Sequence, residues 1–190
     1  MADEYEVGVA LLVGGRYEEA IAAFDRAIAR SPQDSQAYFS RGQAHLSLGN
    51  YRAAVRDFTQ TIALSPTNGE AYYLRGVARA KLGEYALAVA DYSQAIQIDP
   101  QFVEAYLGLG EVLPYLGQLE EALAQLNVAR SLAPDNPEIY HLRGVVYAQL
   151  GRYPEAIADF QRYLELFPES PLRSEVEFVI RILRERQEPF

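Results

Sequence analysis

The sequence predicts an all-α protein, a right-handed αα-superhelix of five helix–turn–helix units closed by a C-terminal helix. Three observations predict it. When the 190 residues are written in rows of 34, Pro32, Pro66, Pro100, Pro134 and Pro168 fall in one column. Two more columns hold only glycine: Gly8, Gly42, Gly76, Gly110 and Gly144, then Gly15, Gly49, Gly83, Gly117 and Gly151. Within a row the apolar residues step at helical spacing, as in Ala54, Val55, Phe58 and Ile62. The rows run without a gap over 1–34, 35–68, 69–102, 103–136 and 137–170, so the period organises the chain as one solenoid domain, 1–190.

Each column has a physical reason. Helix A of a row is expected over about row positions 3–14. The glycine at position 15 ends it, where the chain must turn with φ > 0. Helix B follows over about positions 18–30. The alanine at 20 (Ala20, Ala54, Ala88, Ala122, Ala156) and the glycine at 8 are small, so the two helices can approach closely. Aromatics beside them fill the space: Tyr17, Tyr51, Tyr85 and Tyr153, with Leu119 in row four, then Phe24, Phe58, Tyr92 and Phe160, with Leu126 in row four. Proline at 32 stops helix B, because it lacks an N–H and clashes with the preceding turn.

The tail leaves the repeat. Ser170 and Pro171 read as an N-cap and first-turn pair. Leu172, Val176, Val179, Ile180 and Leu183 then share one face of a helix expected over 171–187, which covers the last unit as solenoids require. Phe178 and Ile182 extend the apolar arc beyond what a cap needs. They either tuck against helix B of row five or meet the same residues of a second chain in a symmetric dimer.

At these residues the chain resembles the tetratricopeptide repeat family. That family's pattern has an aromatic at 4, Leu at 7, Gly at 8, Tyr at 11, Gly at 15, Tyr at 17, Ala at 20, an aromatic at 24, Ala at 27 and Pro at 32. Position 4 here holds Tyr38, Tyr72, Tyr106 and Tyr140, and position 27 holds Ala27, Thr61, Ala95, Ala129 and Tyr163. The resemblance implies a fold built for protein recognition but names no partner, since the fold serves many assemblies.

Several positions depart from the pattern. Position 7 is Val7, Arg41, Arg75, Leu109 and Arg143, and position 23 is Ala23, Asp57, Asp91, Gln125 and Asp159. Arg and Asp occur together in rows two, three and five and are both missing from rows one and four, so the expected ion pairs lie within a row. In row four, Pro114 falls near the end of helix A, after Gly108 and Gly110. This is either an irregular last turn or a local widening that displays Tyr115. Row one has Glu4 in place of the aromatic, as suits an end unit whose outer face meets water.

Composition narrows the function classes. The formal net charge is −9, which opposes binding to nucleic acid or an anionic membrane surface. The apolar runs are short, so no membrane insertion is expected. The N-terminus, Met1-Ala2-Asp3-Glu4, is acidic where a secretory signal is basic, and the expected location is cytoplasmic. There is no cysteine for disulfides or thiolate metal sites. His45 and His141 stand at different row positions almost three rows apart, so neither a metal site nor a catalytic pair is expected. No cofactor is expected, and no enzyme activity.

The resemblance also implies where a partner binds. Tetratricopeptide proteins line their concave groove with positions 2, 5, 9, 12 and 13 of helix A. Here those positions nominate Tyr5, Phe39, Gln43, Tyr73, Val77, Lys81, Leu107, Glu111, Tyr115, His141 and Val145, an aromatic and apolar ladder. Glu70, Glu104 and Glu138 run along one side of it. One subgroup of the family clamps a C-terminal carboxylate with Lys and Asn at set positions. This chain has Tyr5, Val9, Ser40, Glu70 and Leu74 there, or Phe39, Gln43, Leu74, Glu104 and Gly108 one row on, so that activity is not carried over. The expected function is a scaffold that holds an apolar, neutral-to-basic peptide or helix of a protein partner. The alternative is a structural protein that self-associates through its terminal helices, with a homodimer through the C-terminal helix as its simplest form.

Overall fold

The computed structural model describes residues 3–186. Met1 and Ala2 of the acidic N-terminus, and Gln187 at the end of the expected closing helix, lie outside the described residues. Among the described residues there are eleven α-helices, one 3-10 turn and no strand. The chain divides into two compact units at Pro100/Gln101.

The first unit holds rows one to three: α1 (Glu4–Val13), α2 (Tyr17–Arg30), α3 (Ser35–Ser47), α4 (Tyr51–Leu64), α5 (Gly69–Lys81) and α6 (Tyr85–Ile98). Aspartate or asparagine starts each A helix here: Asp3 accepts from the Tyr5 N–H, Asp34 from those of Gln36 and Ala37, and Asn68 from that of Ala71. Each A helix ends at the position-15 glycine, with φ of 72–76° in Gly15, Gly49 and Gly83. The next residue's N–H reaches back to the position-11 carbonyl, as Arg16 does to Leu11 at 2.9 Å, which satisfies a carbonyl the helix leaves open. The B helices start directly from that turn and have no side-chain cap.

The position-8 glycine has a more specific task than making the helices slim. A Cβ on Gly42 would stand 2.8 Å from the Phe58 ring, and one on Gly8 would stand 2.5 Å from Phe24. The glycine is thus the seat of the position-24 ring of its own row, and Phe24 and Phe58 are fully buried on it.

The second unit holds α7 (Val103–Val112), a 3-10 turn (Leu113–Leu116), α8 (Leu119–Leu132), α9 (Pro137–Gln149), α10 (Tyr153–Leu166) and α11 (Arg173–Glu185). Row four follows the irregular reading of Pro114. Proline cannot supply an N–H to the fourth carbonyl back, so α7 stops after ten residues and its last turn tightens to 3-10. Tyr115 stands on that turn, 65% exposed. Ser170 does not cap α11, a correction to the sequence reading. Its hydroxyl accepts from the Leu172 N–H and meets the Tyr163 hydroxyl, shaping a turn ahead of a helix that begins at Arg173. Val176, Ile180 and Leu183 of α11 pack on Tyr140, Phe160 and Tyr163. Phe178 is left 52% exposed with Arg181 over its ring.

The Arg–Asp pairs form within their rows. Arg41 grips Asp57 at 2.9 and 2.6 Å, Arg75 grips Asp91, and Arg143 grips Asp159 at 2.6 and 2.5 Å. The remaining guanidinium nitrogen reaches position 25 of the preceding row: Asp25 for Arg41, Thr59 for Arg75 and Asn127 for Arg143. The position-4 tyrosine of the same helix, Tyr38, Tyr72 or Tyr140, stacks 5.5 Å from the guanidinium. One arginine therefore joins helices A and B of its row to helix B of the row before.

Candidate functional site

In the first unit, position 5 is less open than a groove lining requires. The Tyr5, Phe39 and Tyr73 rings lie 5.9, 5.8 and 5.8 Å from the position-24 rings Phe24, Phe58 and Tyr92. Phe39 is only 8% exposed and belongs to the core with Phe58, and in the second unit Leu107 is 7% exposed. These two are corrected from groove residues to core residues. The physical reason is the glycine at position 8: it lets the position-24 side chain, Phe58 in row two and Leu126 in row four, close onto helix A on the side where position 5 lies. Tyr5, Gln43, Tyr73 and Val77 are half-buried on α1, α3 and α5, and Lys81 is exposed. A depression of about 430 Å³ in this unit lies elsewhere, at Tyr51, Arg52, Arg56 and Leu82, and includes none of them.

The second unit gathers the other predicted residues. Glu111, Tyr115, His141 and Val145 line one pocket of about 290 Å³, between the end of row four's helix A and α9. His141, Val145 and Gln149 also line a second pocket of about 340 Å³, whose opposite wall is α11 and whose floor is Phe160. α9 thus stands as a ridge between two bays. Pro114 and the exposed Tyr115, on the 3-10 turn that ends row four's helix A, line the first. The sequence reading missed the second wall, because it assigned the whole stripe Leu172, Val176, Val179 and Leu183 to covering row five. Half-buried Val179, which also packs on the row-five core, and the more exposed Leu172 line the bay as well.

His141 and Gln149 are the polar groups shared by the two bays, and His141 is the titratable one. Its ring centroid is 6.2 Å from Phe160 and 5.2 Å from Tyr163. Burial lowers its pKa, against the pull of the Glu138 and Glu175 carboxylates. His45 stands apart in row two, with Nε2 3.9 Å from Asp57 and no hydrogen-bond partner for Nδ1, and burial lowers its pKa too. Among the described residues no three His, Cys, Asp or Glu side chains converge as a metal site would need. No helix is long and apolar enough to cross a membrane.

Paired helices in tandem, with apolar bays between successive A helices and carboxylates around them, define a helical-repeat solenoid of the protein-interaction class. Sequence profiles described as tetratricopeptide repeat match residues 5–51, 39–102, 79–146 and 116–181, and the chain belongs to the tetratricopeptide repeat family. No curated protein matches the chain by sequence. Among solved structures it is similar to MamA 41-end from Desulfovibrio magneticus RS-1, with a TM-score of 0.82 at 23% identity over 90% of this chain and 99% of that one. YrrB, described as a TPR protein with an unusual peptide-binding site, matches with a TM-score of 0.78 at 22% identity over 92% and 90%. TTC0263, a thermophilic TPR protein in Thermus thermophilus, matches with a TM-score of 0.70 at 26% identity over 95% and 96%.

Proposed function

We propose that the chain is a non-catalytic scaffold that holds an apolar, neutral-to-basic segment of a partner protein, with the two bays flanking α9 as its main contact. The observation that carries this reading is the junction of two apolar pockets at His141 and Val145, with Glu111, Glu138 and Glu175 around them. Exposed apolar surface rimmed by polar groups marks interaction sites, and a carboxylate rim selects for Lys and Arg and against acidic segments.

Panning the immobilised protein against a displayed library of 15-residue random peptides tests it. The expected consensus is rich in large apolar residues and neutral to basic in net charge. Val145→Asp should lose the selected peptides, and their binding should weaken as salt rises. An acidic consensus, or equal binding to Val145→Asp, overturns the reading.

A second reading, a homodimer through α11, is favoured by the exposed Phe178 alone. Position 178 falls in the glycine column of a would-be sixth row, so its ring also blocks the seat a further helix B would use. That explanation needs no second chain. Sedimentation at tens of micromolar decides between them: a monomer ends the dimer reading, and a dimer that Phe178→Glu dissociates supports it.

A further inference from the structure

The bay between α9 and α11 has a polarity along its length. Its lining runs from Leu172 to Arg186 on one side and from His141 to Gln149 on the other, so it is a trough parallel to both helices. Fourteen helical steps at about 1.5 Å each give α11's wall a length of roughly 21 Å. The trough is apolar in its middle, where Val176, Val179 and Leu183 face Val145. Its two ends carry opposite charge. Glu175 stands at one end, and Glu138, the other carboxylate acting on His141, lies on the first turn of α9. Arg186 stands at the other end.

None of these three charges has an ion-pair partner among the described residues. Of the other charges nearby, Arg173 is held by Glu177 and Arg162 by Glu165 and Asp135, while Arg181, Arg184 and Glu185 of α11 have no ion pair among the described residues but do not line the trough. Unpaired charges at the ends of an apolar floor can meet complementary charge on an incoming chain.

We propose that this trough docks an apolar segment of a partner protein that carries Lys or Arg at one end and Asp or Glu at the other, the basic end beside Glu138 and Glu175 and the acidic end beside Arg186. The proposal rests on the groove reading and adds the partner's charge order. The closing helix then acts as one wall of the binding site as well as a cap. An all-basic segment fits less well, because Arg186 repels its far end.

Three fluorescein-labelled peptides test this on the full chain by fluorescence anisotropy. They share an eight-residue core of Leu, Ala and Gln. One carries two lysines at both ends, one two glutamates at both ends, and one lysines at one end and glutamates at the other. The mixed peptide should bind tightest, with a preference of about two- to fivefold for each matched charge, as partly exposed pairs provide. Glu175→Gln should weaken it, and Arg186→Glu should make the all-lysine peptide the tightest. Both residues are exposed, so the fold is kept.

If the three peptides bind alike, if none binds, or if Arg186→Glu leaves the order unchanged, the proposal is overturned. Val179→Asp separates this failure from failure of the groove reading. Should it abolish binding while charge order has no effect, the groove stands and its polarity falls; should it change nothing, both fall. A parent dimer that Val179→Asp dissociates would show a second copy of the chain in the trough and would also overturn the proposal.

Discussion

Asp159→Ala should be among the most damaging single substitutions in the second unit, and its cost can be worked from the surroundings of Arg143. The Arg143 and Asp159 side chains are 5% and 8% exposed, and two hydrogen bonds join them. Removing the carboxylate strands a buried guanidinium, a change that typically costs 3–5 kcal/mol, mostly the desolvation of the orphaned charge. Arg143 would keep its bond to Asn127 and the faces of Tyr140 and Tyr147, which places the loss near the lower limit, at about 3 kcal/mol. Asp57→Ala is the internal comparison. Arg41 is 20% exposed and would keep Asp25 as an ionic partner, so the expected loss is only about 1–2 kcal/mol. Replacing both buried partners, Arg143→Met with Asp159→Leu, should bring stability back close to the parent, because no charge is then left buried. Urea unfolding followed by circular dichroism reads all four proteins. A loss below about 1 kcal/mol for Asp159→Ala, an equal loss for Asp57→Ala, or a double variant no better than the single one would refute the reasoning.

Three further outcomes follow from the same geometry. Gly144→Ala adds a Cβ 2.8 Å from the buried Phe160 ring, so overpacking of about 1–3 kcal/mol should outweigh the roughly 1 kcal/mol that alanine gains in a helix. In a Phe160→Ala background the same change should turn stabilising, and urea midpoints show the sign. Phe39→Ala should cost about 3–5 kcal/mol and lower the melting temperature, as a core ring does and a groove ring does not. Burial lowers the pKa of His141 below its ordinary 6.5, so the fold favours the neutral ring. Its stabilising effect is complete above about 6.5 and is lost as pH falls from there through the lowered value. The drop in urea midpoint from pH 7.5 to 5 should therefore be smaller in His141→Gln; an unchanged drop would show that the ring does not contribute.

Much of the fold was legible because each recurring residue answers one backbone or packing need. Five glycines at position 15 with φ near 73° are the reading that needed no tertiary information, since only local conformation sets them. The Arg–Asp pairing was legible from co-occurrence, because a residue pair that appears and vanishes together by row belongs within a row. Its third partner was not, since position 25 holds Asp25, Thr59 and Asn127, three residue types that share only an oxygen facing the guanidinium. The capping column Asp34, Asn68 and Asn136 stood in the sequence, one place before α3, α5 and α9, and was a signal available to any count of N-cap residues. Phe39 and Leu107 went the other way. Their outward place on helix A is correct for the backbone, but it did not register how far the side chain seated on a glycine, Phe58 or Leu126, reaches around the helix.

That same glycine seat separates structural residues from those left over for function. Positions 8, 15, 20 and 24 are taken up by the helix pair, and positions 4, 7 and 23 by the arginine junction. In the second unit this leaves, around α9, Tyr115 on its 3-10 turn, the half-buried His141 and Val145, which line the bays as well as packing on row five, and Glu111, Glu138 and Glu175, which have no ion pair among the described residues. Pro114 is central to that remainder, because it shortens α7 at the cost of a regular last turn and so gives Tyr115 its place on the rim of the first bay. The proline removes a backbone hydrogen bond that a regular last turn of α7 would have. The irregular row, the two bays and the uncompensated carboxylates fall together on one face of one unit, and that coincidence favours recognition there over the regular rows one to three.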